Sequence, residues 1–278
     1  MSLSQSLSRK LAVTCVAAAF ALNGALAQPA PDTKSFEPQV GQEGKDVVWV
    51  PTPQALVDRM LDMAKVTAAD TVIDLGSGDG RTVITAAKRG AKAMGIEYNP
   101  DMVELSKRNA VKEGVGDKAV FVQGDIFKSD FSKADVITLF LLTSLNAKLR
   151  PILLDMKPGT RVVSNTFDMG DWTPDDQVQA TGECRSYCRA FFWVVPAKVG
   201  GTWQTPHGEL TLEQKYQMVS GKLKSGSGTT DVNGKLVGDQ ITFGAGDTTY
   251  TGRVSGSSME LTSKGATDAK ITATKKAN

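Results

Sequence analysis

Hydrophobic positions along this chain change their spacing three times, and each change marks a different kind of structure. Leu11 to Leu22 is almost wholly apolar. Beyond Trp49, the residues Leu56, Val57, Met60, Leu61 and Met63-Ala64 recur at helical spacing, behind Thr52-Pro53, a suitable N-cap and first-turn pair. Short apolar runs then alternate with helical patterns. The runs predict strands at 71–75, 92–97, 119–123, 135–141 and 160–166, and the patterns predict helices at 80–89, 100–113 and 145–156. Lys88, Arg89 and Gly90 close the first of these helices with cations and a glycine, as its dipole favours. A final hairpin is expected between 177–184 and 188–195, turning at Arg185-Ser186. The alternation predicts an α/β fold, a doubly wound and mostly parallel seven-stranded sheet with helices on both faces.

The third change falls near residue 197. Residues 198–278 are rich in Gly, Thr, Ser and Lys, with short alternating runs such as Leu210-Thr211-Leu212, Ile241-Thr242-Phe243 and Met259-Glu260-Leu261. Turn residues separate the runs, and Gly221, Gly234, Gly238, Gly252 and Gly256 are expected at turns or bulges. This is the pattern of a C-terminal small antiparallel β domain, a barrel or a sandwich.

Composition changes the picture mainly at the ends. Arg9 and Lys10 precede the apolar run, Ala25-Leu26-Ala27 follows it, and no acid occurs before Asp32. Residues 1–27 therefore read as a secretory signal peptide cut after Ala27, with an uncleaved membrane anchor as the alternative. Residues 28–46, rich in Pro, Gln, Gly and charge, read as a flexible leader. Domains are then expected at 47–197 and 198–278, in an exported, periplasmic protein or one held at the membrane or envelope.

Removing Arg9 and Lys10 from the 32 basic residues leaves 30 against 30 acids. A neutral chain has no basic excess to hold a polyanion, so no nucleic-acid partner is expected. Cys184 and Cys188 flank Tyr187 in the hairpin loop, and an oxidising compartment would favour a disulfide there. Their spacing and the lack of a second Cys or His pair argue against zinc, so no metal is expected. His207, the only histidine, sits in a Pro-His-Gly turn and reads as solvated.

The chemistry concentrates in Val72-Ile73-Asp74-Leu75-Gly76-Ser77-Gly78-Asp79-Gly80-Arg81. An apolar run carrying an acid breaks into alternate glycines and then into a helix, the strand–turn–helix context that gives a Gly-rich match its meaning. A diphosphate-binding turn would be spaced G-x-G-x-x-G. Here the spacing is G-x-G-x-G with Asp74 before it and Asp79 inside it. Two carboxylates repel a diphosphate but suit the ammonium and sulfonium of S-adenosylmethionine. Acids also end the next two strands. Glu97 is placed to accept from ribose hydroxyls, Asp125 from an adenine amino group, and Ile126 to cover the ring. The predicted cofactor-binding set is thus Asp74, Gly76, Ser77, Gly78, Gly80, Glu97, Asp125 and Ile126.

Residues 47–175 resemble a class I (Rossmann-type) S-adenosylmethionine-dependent methyltransferase in the order and spacing of their motifs. Val50-Pro51-Thr52-Pro53, Asp74 to Arg81, Gly95-Ile96-Glu97, Leu149-Arg150-Pro151 and Lys157 to Ser164 resemble a bacterial group of such enzymes. That group is similar to the mitochondrial lysine methyltransferases that modify the c-ring protein of ATP synthase. The resemblance implies that Thr52 helps hold the cofactor's carboxylate, and that the acceptor is a protein lysine or a small amine. The acceptor side is expected after the fourth and fifth strands, among Phe140, Thr143, Asn146, Asn165, Asp168 and Trp172, with no base assigned. The Asn-Pro-Pro-Tyr signature of methyltransferases acting on nucleobases or glutamine is absent after Asp135 to Phe140. A second reading is a non-catalytic nucleoside-binding envelope protein whose β domain recruits a partner.

Overall fold

The computed structural model describes residues 36–277, apart from 183, 227, 266 and 267. The expected signal peptide and the first part of the expected leader lie outside the described residues.

The chain runs α1 (Gln54–Met63), β1 (Thr71–Leu75), α2 (Arg81–Lys88), β2 (Lys92–Glu97), α3 (Pro100–Lys112), β3 (Ala119–Gln123), β4 (Val136–Leu139), α4 (Thr143–Leu154), β5 (Arg161–Asn165), β6 (Asp176–Gln179) and β7 (Arg189–Val194). The seven strands form one sheet in the order β3-β2-β1-β4-β5-β7-β6. The first five are parallel, and β7 runs antiparallel to both of its neighbours.

Period-two alternation explains why the central strands β1, β4 and β5 are dry on both faces. Val72, Val136 and Val163 point to one side, where they pack with Leu56, Val83 and Val103 of the first three helices. Ile73, Ile137 and Val162, one residue out of phase, point to the other side and pack with Leu149 and Leu153 of α4. Strands buried on both faces are near-continuous apolar runs, which is why they stood out in the sequence. Strand order reverses between β1 and β4, and a crevice opens there at the carboxyl ends.

Eight further strands follow: β8 (Gly201–Thr205), β9 (Gly208–Lys215), β10 (Met218–Ser225), β11 (Gly228–Val237), β12 (Gln240–Ala245), β13 (Thr248–Ser255), β14 (Ser258–Lys264) and β15 (Ala269–Lys275). They close into an antiparallel barrel around Trp203, Leu236, Phe243 and Met259. Of the expected turn or bulge glycines, Gly238 and Gly256 sit in turns with positive φ. Gly221 and Gly252 instead lie inside strands, where a Cβ would come within 1.9 Å of a neighbouring strand's carbonyl oxygen. Glycine there lets the tightly coiled ladder close.

Sheet and barrel belong to one compact unit. The buried Trp172 donates its indole N–H to Gln217 Oε1 at 2.9 Å, and Gln217 Nε2 donates to Thr173 O at 2.8 Å. The Lys235–Asp175 ion pair at 2.8 Å and the Ala197 N–Gly238 O hydrogen bond join the same surfaces.

Candidate active site

The turn after β1 is built by backbone pairing. Gly76 N and Ser77 N both donate to Ile96 O of β2, and Gly80 N donates back to Ser77 O. Gly80 takes φ +84° at the N-cap of α2, and a Cβ there would press Phe121 and Ser106 at under 3 Å. Gly78, at φ +54°, lies so close to Trp49 that a Cβ would meet its indole nitrogen at 2.7 Å. A side chain at either position would fill the turn or displace its neighbours.

A cavity of about 450 Å³ opens over this turn, within the range of small-molecule sites. Of the residues expected to bind a cofactor, Thr52, Asp74, Gly76, Ser77, Gly78, Glu97, Asp125 and Ile126 line it. Gly80 does not; it shapes the turn from behind.

Each acid is held differently. Asp74 is buried at the end of β1 and accepts from Thr138 Oγ1 at 2.7 Å. Burial pushes its carboxyl up to about 7, and the nearby Glu97 and Asp79 charges add to the rise while the Thr138 hydrogen bond opposes it. Glu97 is oriented by the main chain, accepting from Gly78 N at 3.0 Å and Asn99 N at 2.9 Å. Each of its oxygens keeps a second lone pair for a ligand. Asp125 pairs with Lys45 at 2.9 Å and accepts from Phe127 N at 3.0 Å, contacts that hold its carboxyl below the usual range.

Thr52 corrects the expectation of an N-cap. Helix α1 is capped at Pro53 with no side-chain bond. The hydroxyl of Thr52 instead accepts from Asn165 Nδ2 at 3.2 Å, and its carbonyl accepts from Arg81, which also grips both oxygens of Asp79. The expected leader departs from its reading as well. Trp49 N donates to Gln42 O and Gly41 N donates to Trp49 O, folding residues 41–49 into a strap whose Gln42, Lys45 and Trp49 wall the cavity. Nothing in the composition of 28–46 marked this, because its contacts are made by backbone and by single side chains.

On the acceptor side only Phe140 of the expected residues lines the cavity. Thr143 donates to Asp168, Asn146 is buried and ties down the Phe167–Asp168 backbone, and Trp172 is packed between sheet and barrel. Phe167 and Tyr187 join Phe140 there. The Cys184–Cys188 disulfide is formed and closes the loop that carries Tyr187. His207 is an exposed turn residue. Among the described residues no cluster of His, Cys, Asp or Glu is placed to hold a metal ion, and no helix is long and apolar enough to cross a membrane.

Residues 74–176 match the ANTKMT methyltransferase domain family. A protein-lysine N-methyltransferase of Saccharolobus islandicus (strain REY15A) is 46% identical over 136 residues, covering 48% of this chain and 84% of that protein. The chain is a class I S-adenosylmethionine-dependent methyltransferase. An adenine nucleotide translocase lysine N-methyltransferase of Mus musculus is 34% identical over 105 residues, covering 37% of this methyltransferase and 46% of the mouse protein. An RNA methyltransferase from Salinibacter ruber, crystallised with S-adenosyl-L-homocysteine, superposes with a TM-score of 0.50 at 48% identity, over 54% of this methyltransferase and 96% of that chain. These matches cover about half of the methyltransferase or less.

The site fits the cofactor on its own terms. Asp74 is a desolvated carboxylate at the floor of the cavity, and a cationic group beside it relieves the repulsion it suffers from Glu97 and Asp79. Ser77 Oγ is buried without a hydrogen-bond partner beside the same turn.

Proposed function

We propose that this methyltransferase modifies a lysine side chain of a protein. The observation that carries the reading is the 46% identity to a protein-lysine N-methyltransferase, over 136 residues and 84% of that protein's length. S-adenosylmethionine supplies a methyl group already activated by its sulfonium, so that an amine lone pair forms the new N–C bond as the C–S pair returns to sulfur. The protein's task is alignment and desolvation. In this reading Asp74 meets the ammonium of the cofactor, Thr52 its carboxylate, Glu97 the ribose hydroxyls and Asp125 the adenine amino group. Gly76, Ser77 and Gly78 let the methionine and ribose lie on the backbone, and Ile126 covers the ring.

The compartment is proposed on separate grounds. The basic-apolar-small pattern of residues 1–27 supports export, and a Cys184–Cys188 disulfide fits an oxidising compartment. An exported enzyme needs cofactor delivered from the cytoplasm. Sequencing the mature N-terminus in periplasmic and membrane fractions tests this, with Gln28 expected first; a cytoplasmic protein beginning at Met1 rejects it.

For the acceptor, the full chain is incubated with methyl-labelled cofactor and either envelope protein extract or total RNA. Label released from protein as methyl-lysine is expected. Label confined to RNA rejects the lysine reading, and tight S-adenosylhomocysteine binding with neither acceptor labelled favours a binding protein instead.

A further inference from the structure

Three aromatic rings meet where the cofactor cavity opens. Phe140 follows the end of β4, Phe167 follows β5, and Tyr187 lies in the loop between β6 and β7. All three line the cavity that Asp74 and the glycine turn floor. The ring centroids of Phe140 and Tyr187 are 5.2 Å apart, those of Phe140 and Phe167 6.2 Å, and those of Phe167 and Tyr187 6.5 Å. None of the three belongs to a hydrophobic core cluster, and Tyr187 is 40% exposed.

The backbone is bent to bring them together. Four non-glycine residues have positive φ among the described residues, and two of them are here: Thr166 at +60°, beside Phe167, and Tyr187 itself at +55°. Such conformations persist only where surrounding structure enforces them. Ser164 Oγ donates to Phe167 O at 2.6 Å, Asn146 Nδ2 donates to the same oxygen at 3.1 Å, and Thr166 N donates to Arg189 O at 2.7 Å. The Cys184–Cys188 disulfide closes the loop around Tyr187. Two strained turns and a covalent clasp thus present rings that the core does not use.

Resting on the lysine reading above, we propose that Phe140, Phe167 and Tyr187 form the acceptor wall of the enzyme, with the substrate's alkylammonium side chain lying across their faces toward the cofactor cavity. Ring faces attract alkylammonium and cover an aliphatic stem. The rings stand too close together to admit an ammonium between them, so they act as a wall and not as a closed cage. This chemistry also suits the reaction. A carboxylate partner would hold the ammonium firmly protonated, whereas a ring face attracts it more weakly and leaves loss of the proton before transfer less opposed.

The test is saturation-transfer NMR on the full chain saturated with S-adenosylhomocysteine, with Nα-acetyl-lysine N-methylamide as probe and its norleucine analogue as the uncharged control. Irradiating aromatic protons should transfer saturation to the probe's ε-methylene, at least fivefold more strongly than to the corresponding norleucine protons. Tyr187→Ala should reduce the transfer at least fivefold and Tyr187→Phe should retain it. Far-UV circular dichroism and the thermal midpoint should match those of the unaltered protein in both, which establishes that the fold survives. Transfer undiminished in Tyr187→Ala overturns the wall while leaving a lysine acceptor standing. No transfer to the lysine probe in the unaltered protein overturns the lysine reading together with it.

Discussion

Asp74 is the residue at which charge and function are most tightly joined. Its carboxyl, ordinarily near 3.8, stands at about 7 in the folded protein because it is buried and faces two other acids. A proton is therefore retained on folding between those two values. The stability this group contributes is full below pH 3.8 and is lost as the pH rises toward 7. Binding a ligand's ammonium needs the carboxylate, so the ligand must displace that proton. Affinity for S-adenosylhomocysteine should consequently rise about tenfold per pH unit up to pH 7 and then level off. Asp74→Asn should flatten the profile and weaken binding at pH 8. Calorimetric titration from pH 5.5 to 8 reads both, and a flat profile for the unaltered protein would remove Asp74 from the ammonium site. Asp74, Glu97 and Asp125 were legible in sequence as acids that would meet at one cavity, because each follows an apolar run whose end is a strand end. Lys45 and Tyr187 were not, since an exposed lysine in a polar stretch and a tyrosine between two cysteines carry no periodic signal. Thr52 was legible as a special position but misread locally: the helix begins one residue too late for its hydroxyl to cap it.

At the scale of elements, parallel strands and their crossover helices were read nearly to the residue, since the strands are near-continuous apolar runs and the helices carry a regular apolar stripe. The barrel was harder. Its strands alternate with solvent, and Gly201–Thr205 and most of Gly228–Val237 are too polar to register. The strand expected at 135–141 ends at Leu139, and the residues freed beyond it supply Phe140 and Leu141 to the cavity. The β6–β7 loop offers a prediction of its own. Closing so small a ring removes little freedom from the unfolded chain, about 2 kcal/mol on the loop-entropy model. Cys184→Ser/Cys188→Ser should lower unfolding free energy by about that amount in denaturant titration while raising the KM for the acceptor more than it lowers kcat. Equal KM values with and without the bridge would mean that Tyr187 is held by other contacts.

For the whole molecule, the decisive contact is one buried side-chain pair joining sheet to barrel. Gln217 satisfies the indole of Trp172 and reaches on to Thr173 O. Removing it leaves a buried N–H without a partner, at a cost of about 1–3 kcal/mol. Gln217→Leu should split a single calorimetric melting transition into two; one unshifted transition would show that the Lys235–Asp175 pair and the Ala197–Gly238 bond suffice. The barrel's own closure has another consequence. Seven of its ladders are paired along five or more positions, but β15 meets β8 only at Thr274–Gln204 and Lys275–Trp203. A cylinder with one short seam has a preferred place to unzip. The Lys276 amide, which donates to Thr202 O across this seam, should exchange with deuterated water sooner than the amides of β11 to β13, so that the first and last strands of the barrel part while its middle still holds.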